Sequence, residues 1–447
     1  VEEARVPEAL AALPEILETV DPELLAEVPR ADDPAALARS LGDRLWRRQV
    51  QASTDGRLDD RPLYWQRLAA RRGLEADCAD HPSLDCDALL GAFEWASRGA
   101  EDLAFPRDAD LRILISGFDP FFLDRDISQG NPSGAAALAL DGARLEVEGR
   151  QVAIEALMIP VRFADFDAGR IEALFEPWLR PDGADLVVTL SMGRDAFDLE
   201  RFPGRRRSAE APDNRNVVTG ATAHTPRIPR MGPDRLLPGP EFVEFSLPTA
   251  AMSATPGPWA VRDNHRVTTL RGGTFEAPSL AALDDAIAVQ GSGGGYLSNE
   301  ISFRTVRLAR ALGSDVPVGH LHTPRISGQE PETVAAIVDQ TRSVLVAAAG
   351  ALLGSESGPE LDLPVTDSCA DCHPPLAMPE QHPEPSDYSL AGCRRCHASG
   401  TPQGDQLFRA MHRGHVRDMG FDCTLCHALD AETLEAAENE LERRLGE

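Results

Sequence analysis

The sequence predicts an α/β fold for the middle of the chain: a domain with a parallel sheet and helices on both faces. An α-helical region precedes it, and a small, mostly irregular or helical tail follows. Three observations lead there. Short apolar runs at Leu111–Ser116, Val152–Pro160, Ala184–Leu190 and Val316–His322 alternate with Ala/Leu-rich stretches, as strands buried on both faces alternate with helical crossovers. Before residue 105, apolar positions recur at helical spacing in Leu10, Leu13, Ile16 and Leu17 and again in Leu37, Leu41 and Leu45, cut into short helices by Pro14, Pro22, Pro29 and Pro34. The stretch 365–430 has little aliphatic content and could not build an ordinary core.

These texture changes divide the chain into a helical region at 1–105, an α/β domain at 106–353, a polar linker at 354–364 (GSESGPELDLP) and a tail domain at 365–447 that ends in a charged helix. A helix over roughly Glu332–Leu353 closes the α/β domain, and residues 203–275, rich in Arg, Pro, Gly and Thr, read as long loops decorating the sheet. At 447 residues the chain is too long for one core. Its 72 acidic residues against 44 basic ones, all of them Arg, give a net charge of -28. Such a chain repels phosphate backbones, so no nucleic-acid partner is expected. No apolar run reaches bilayer length, and no membrane span is expected. The chain begins at Val1 rather than Met, as a mature exported product would, so a periplasmic or extracellular location is expected. In that setting Cys78 and Cys86 most simply form a disulfide.

The other six cysteines fall in three C-x-x-C-H motifs: Cys369, Cys372, His373; Cys393, Cys396, His397; and Cys423, Cys426, His427. Paired thiols followed by His are what covalent haem attachment requires, with the sulfurs on the vinyl groups and the imidazole as proximal iron ligand. The competing reading is structural zinc, since Cys369, Cys372, Cys393 and Cys396 also have ribbon-like spacing. A ribbon leaves the third pair and all three histidines unexplained. The tail holds three more histidines, His382, His412 and His415, which are the distal-ligand candidates; Met378, Met411 and Met419 are possible substitutes. The run from His412 and His415 to Cys423 resembles class III, low-potential multihaem cytochromes c. That resemblance implies three bis-histidine haem c groups per chain, and the haems would pack the tail in place of a core.

A second set of motifs lies in the α/β region. Ser116-Gly-Phe-Asp-Pro-Phe121 is followed by Asn131-Pro-Ser133, then by Gly193, Arg194, Phe197, Glu200 and Arg201, by Pro212-Asp-Asn214, by Gly294–Asn299, and by Gly319-His-Leu-His322-Thr-Pro324. In this order they resemble the pyroglutamyl peptidase I family over about 110–350. The resemblance implies a catalytic set at Ser298, His322 and Glu200, and a substrate pocket involving Phe118, Phe121 and Arg194. The family's nucleophile is Cys where this chain has Ser298, the family's Gly after F-x-P-F is Phe122, and the segment between Glu200 and Ser298 is much longer. A Ser hydroxyl does not ionise as a thiol does, so these departures favour a degenerate site.

The leading expectation is therefore an exported three-haem cytochrome c that carries electrons between redox protein partners. Its peptidase-like body would be a relic used for scaffolding, docking or assembly into a homo-oligomer or haem-stacked filament. The alternative is a serine-variant pyroglutamyl peptidase whose tail tethers it or transfers electrons.

Overall fold

A computed structural model describes residues 1–13 and 22–357. The chain divides into two compact units, Val1–Glu356 and Ser357–Glu447. The first unit begins with a 3-10 turn at Glu3–Arg5 that leads into α1 (Val6–Ala12). Helices α2 (Pro22–Glu27), α3 (Pro34–Thr54), α4 (Arg61–Asp80) and α5 (Cys86–Ala96) complete a helical region. Pro7, Pro22, Pro34 and Pro62 stand in the first turns of α1 to α4, where the missing N–H has no helical partner to lose. Asp33 caps α3 by accepting the Ala36 N–H at 2.9 Å, and Asp85 caps α5 through Ala88 at 3.1 Å. A Cys78–Cys86 disulfide, with Cα atoms 5.9 Å apart, joins the end of α4 to the start of α5.

The α/β part comes next as β1 (Leu111–Phe118), α6 (Pro132–Leu140), β2 (Ala143–Val147), β3 (Arg150–Ile159), α7 (Phe163–Asp167), α8 (Arg170–Phe175), β4 (Leu186–Met192) and β5 (Phe197–Glu200). It continues through α9 (Thr249–Ser253), β6 (Val261–Asn264), β7 (Arg266–Thr269), β8 (Gly273–Glu276), β9 (Ala288–Gln290), α10 (Leu297–Leu312), β10 (Val318–Thr323) and α11 (Pro331–Ser357). Seven strands form one sheet in the order β2-β3-β1-β4-β10-β5-β6. The centre, β3-β1-β4-β10, is parallel, and its apolar side chains merge with those of α6, α10 and α11 into one core.

The sheet is mixed rather than wholly parallel, for two local reasons. Glu148 and Gly149, both at positive φ, form a two-residue turn that folds β2 back antiparallel on β3. After β4 the chain reverses through residues 193–196, so β5 runs antiparallel beside β10. The region expected to be loops contributes α9, β6 and β7, and β7 joins β8 and β9 in a separate three-stranded sheet. Part of α11, Pro331–Gly354, is long and apolar enough to cross a membrane by length and composition, but half of it is buried inside the body. Its Val334, Ile337, Val344 and Leu345 belong to the sheet's core.

This architecture corrects the leading expectation. The described chain is an α/β body with its own apolar core and a helical region packed on it, and it is not a helical multihaem bundle. An electron-carrier role, with its iron and haem chemistry, is not what this body is built around. Among the described residues there is no group of three or more His, Cys, Asp or Glu that could hold a metal ion. The tail, with Cys369, Cys372, Cys393, Cys396, Cys423, Cys426 and their histidines, lies outside the described residues.

Buried charge in this body makes two stability effects measurable. Arg304 on α10, fully buried, binds Glu172 of α8 at 2.9 Å and Glu300 at 2.8 Å. Arg304→Met should cost about 3 kcal/mol in urea unfolding, because it leaves buried carboxylates short of a cation; a loss under about 1 kcal/mol would show that Arg207 and Arg307 compensate. Glu155 on β3 is pushed up to about 8 by burial, then by Asp141 and Asp102. A carboxyl raised in the folded state binds its proton more tightly there than in the unfolded chain. Its contribution is therefore full below about pH 4.5 and falls away as pH rises towards 8. Glu155→Gln should flatten that part of the stability–pH curve, and an unchanged slope would refute the assignment.

Candidate active site

The sheet's parallel centre ends at a common edge, and the candidate residues gather there. His322 lies opposite Asp198 in the β10–β5 ladder. From this position its Nδ1 reaches Glu200 Oε1 in a short hydrogen bond. An ionised carboxylate can only accept, so with Glu200 ionised this bond selects the Nδ1–H tautomer. Glu200 is 1% exposed, and burial pushes its carboxyl up, with His322 the main opposing influence. Its second oxygen accepts from Asn264 Nδ2 at 2.8 Å. Gly193 makes room for this pair: a Cβ there would stand 2.6 Å from the His322 Cβ.

Ser298 stands in the first turn of α10, after the glycine-rich loop 291–295. Tyr296, at the N-cap, supplies no side-chain hydrogen bond, so the first-turn N–H groups point out as ready donors for an anionic oxygen. The loop is clamped by the strand-like segment after Glu200. Phe202 N donates to Ser292 Oγ at 2.9 Å, Gly204 N to Asn299 Oδ1 at 2.8 Å, and Asn299 Nδ2 back to Gly204 O at 2.7 Å. Gly291 and Gly295 are required by this closeness, since their Cβ atoms would stand 2.1 Å from Asn299 Oδ1 and 2.0 Å from Ser208 Oγ.

The loop before Ser298 and the His–Glu pair are physically joined. Asn264 Nδ2 also donates to Ser292 O at 3.1 Å, and Ser298 Oγ donates to the next carbonyl, Gly293 O, at 3.2 Å. In this state the Ser298 proton rests on the loop carbonyl. The arrangement supplies a hydroxyl at a helix N-terminus, an oriented imidazole and a buried carboxylate, which are the parts acyl transfer uses.

The remaining candidates differ in placement. Phe118 is buried and stacks on Phe166 at 6.4 Å, so it is a core residue. Phe121 is half-buried against Phe122 at 4.7 Å. Arg194 is exposed, and its carbonyl accepts from Arg325 N at 2.8 Å. Three residues that shape the site have no role in the sequence motifs as read. Asn264 falls within the stretch expected to be loops, and Asn299 adjoins Ser298 in the quoted motif. His320 is buried behind His322, its ring 4.9 Å away, with Thr189 and Ser191 hydroxyls each 2.7 Å from one of its nitrogens. Burial holds His320 well below the usual imidazole range.

Comparison with known proteins places similarity on this α/β body. A family model described as the PA0049 C-terminal domain matches residues 112–256 and 259–327. The uncharacterized protein PA0049 of Pseudomonas aeruginosa is 29% identical over 436 residues, covering 74% of this chain and 78% of that protein. Among solved structures, pyrrolidone carboxyl peptidase from Thermococcus litoralis aligns with 57% of this chain and 99% of its own at 16% identity and a TM-score of 0.37. Pyroglutamyl peptidase I from Bacillus amyloliquefaciens aligns with 54% of this chain and 95% of its own at 19% identity and a TM-score of 0.35. These structural likenesses are distant and partial.

Proposed function

We propose that the body is a serine-dependent amidohydrolase acting on N-terminal pyroglutamyl amides. The observation that carries this reading is the intact His322–Glu200 pair beside a glycine-rich loop that presents Ser298 in the first turn of α10. In the proposed reaction Ser298 Oγ attacks the amide carbonyl while His322 Nε2 takes its proton. First-turn N–H groups of α10 hold the oxyanion. His322 returns the proton to the leaving amine, and water then releases the acyl group from Ser298 by the reverse sequence. Glu200 holds the imidazole in its Nδ1–H tautomer throughout. The substrate class is taken from the motif resemblance, in which Phe121 is the pocket candidate left partly open. The Cys78–Cys86 disulfide supports an oxidising compartment for this chemistry.

The test is turnover of a pyroglutamyl fluorogenic amide together with labelling by a fluorophosphonate. The full-length protein should do both, and Ser298→Ala should abolish labelling and cut kcat/KM by about a thousandfold or more. If the wild type neither labels nor turns over, and Ser298→Cys is equally silent, the hydrolase reading falls and the pocket is at most a binding site.

A second measurement separates the triad from a chance contact. Glu200→Gln keeps the shape of the side chain but can present an amide N–H to His322, which selects the wrong tautomer. It should lower kcat by up to about ten-thousandfold with little change in KM. Asn264→Ala, which only frees the carboxylate and the Ser292 carbonyl, should cost less, about a hundredfold. Equal losses in the two variants would mean that collapse of the site, not tautomer choice, explains both.

A further inference from the structure

The loop between β1 and α6 carries Asp119, Pro120, Phe121 and Phe122, and much of what holds its conformation comes from the helical region. Asp119 is 1% exposed, and two cations of the helical region bind its carboxylate. Arg67 Nη1 of α4 donates at 3.0 and 3.2 Å, and Arg98 Nη1, just beyond α5, pairs with it at 2.8 Å. Both arginines are themselves buried, with Glu94 of α5 balancing Arg98 at 2.8 Å. Backbone on either side is held too. Asn131 Nδ2 donates to Asp119 O at 3.0 Å, and Asn214 Nδ2 donates to Pro120 O at 2.8 Å.

Asn214 is the junction of three parts of the molecule. Its Nδ2 also lies 3.3 Å from the Tyr64 hydroxyl of α4, and its carbonyl accepts from Arg5 Nη1 at 2.7 Å. The same turn reaches the nucleophile's helix, since Tyr296 OH, two residues ahead of Ser298, donates to Pro212 O at 2.8 Å. Farther along the loop, Arg5 Nε binds Asp124 at 2.6 Å, and Leu123 packs into a cluster with Val6, Trp65 and Leu68. Phe122 is held at φ +62°, a conformation that costs a non-glycine residue about 1 kcal/mol or more and persists only where the surroundings over-determine it. Phe122 stands where a glycine would adopt this φ without penalty.

We propose that the N-terminal helical region is part of the substrate-binding apparatus, with Arg67 and Arg98 as positioning residues that, through Asp119, set the Asp119–Phe122 loop for the site at Ser298. What the loop grips rests on the hydrolase reading; that the helical region sets its shape does not. A merely structural role predicts that loss of these pairs loosens the whole body evenly. Positioning predicts a local effect on the loop and on substrate binding, with the chemistry untouched.

The experiment compares full-length wild type, Arg67→Met and the milder Arg5→Met by amide hydrogen exchange and by steady-state kinetics on a pyroglutamyl fluorogenic amide. Arg67→Met should speed exchange at residues 121–126 by about tenfold and leave the central strands β1 and β4 unchanged. KM should rise about tenfold with kcat within about twofold. If Arg67→Met does not fold, Arg5→Met carries the same readout at residues 121–126. Unchanged exchange in the loop, faster exchange spread evenly over the body, or a fall in kcat at constant KM would each overturn the proposal. A wild type without turnover would sink the hydrolase reading alone, and the exchange pattern would still decide whether the helices set the loop.

Discussion

A carboxylate with 1% of its surface exposed must have both oxygens occupied, and in Glu200 this requirement organises the site. One oxygen takes the His322 Nδ1 proton and the other takes Asn264. Occupying both at once requires β5 to lie antiparallel beside β10 and β6 to lie parallel beside β5. It also requires Gly193, where any Cβ would push His322 out of reach. Asn264 then uses the same nitrogen to hold the Ser292 carbonyl, so the loop that presents Ser298 is fixed through the group that holds Glu200. The mixed edge of the sheet is thus the part that builds the site, and the parallel centre is the platform beneath it.

The same rule, applied to cations, explains why the helical region is inseparable from the body. Arg67, Arg98 and Arg162 are among the largest fully buried side chains, and Arg162, next to β3, meets Glu94 of α5 and Glu2 of the N-terminal turn. Buried charges of this kind add little net stability over a packed apolar equivalent, but removing one partner is costly. Their effect is to select one docking arrangement. An all-apolar seam between α4, α5 and β1 would tolerate sliding, whereas Asp119 accepts two cations in only one register.

The strands of the parallel centre are legible in the sequence because burial on both faces writes them as apolar runs such as Leu111–Ser116. Strands β5 and β6 are not, since four-residue strands carrying Asp198, Glu200, Arg262 and Asp263 look like solvated loop until their cross-strand partners are known. Arg262 with Asp198 and Arg201 with Asp263 neutralise one another across the ladder, and nothing local in the sequence announces such pairs. The site motifs can be read because glycines and a helix start have fixed local signatures. Asn264 and Asp119 cannot, because their roles depend on partners 64 and 52 residues away. The C-x-x-C-H repeats of the tail are a strong local signal that lies outside the described residues and says nothing about what the body does.

The proposed use of Ser298 as a nucleophile sets demands on the rest of the site. A thiolate persists without a base in contact, whereas a hydroxyl is a nucleophile only while its proton is being removed. A serine site therefore needs tighter preorganisation of loop and imidazole, and the departures from the family pattern fall where that can be supplied. The longer segment after Glu200 is the one that zips along residues 291–299 through Phe202, Gly204 and Ser208, and it brings Asn264 to the carboxylate. His320 sets its ring edge-on to His322 with centroids 4.9 Å apart. Under the proposed hydrolase reading, these contacts are the restraints on loop and imidazole that a serine nucleophile would use.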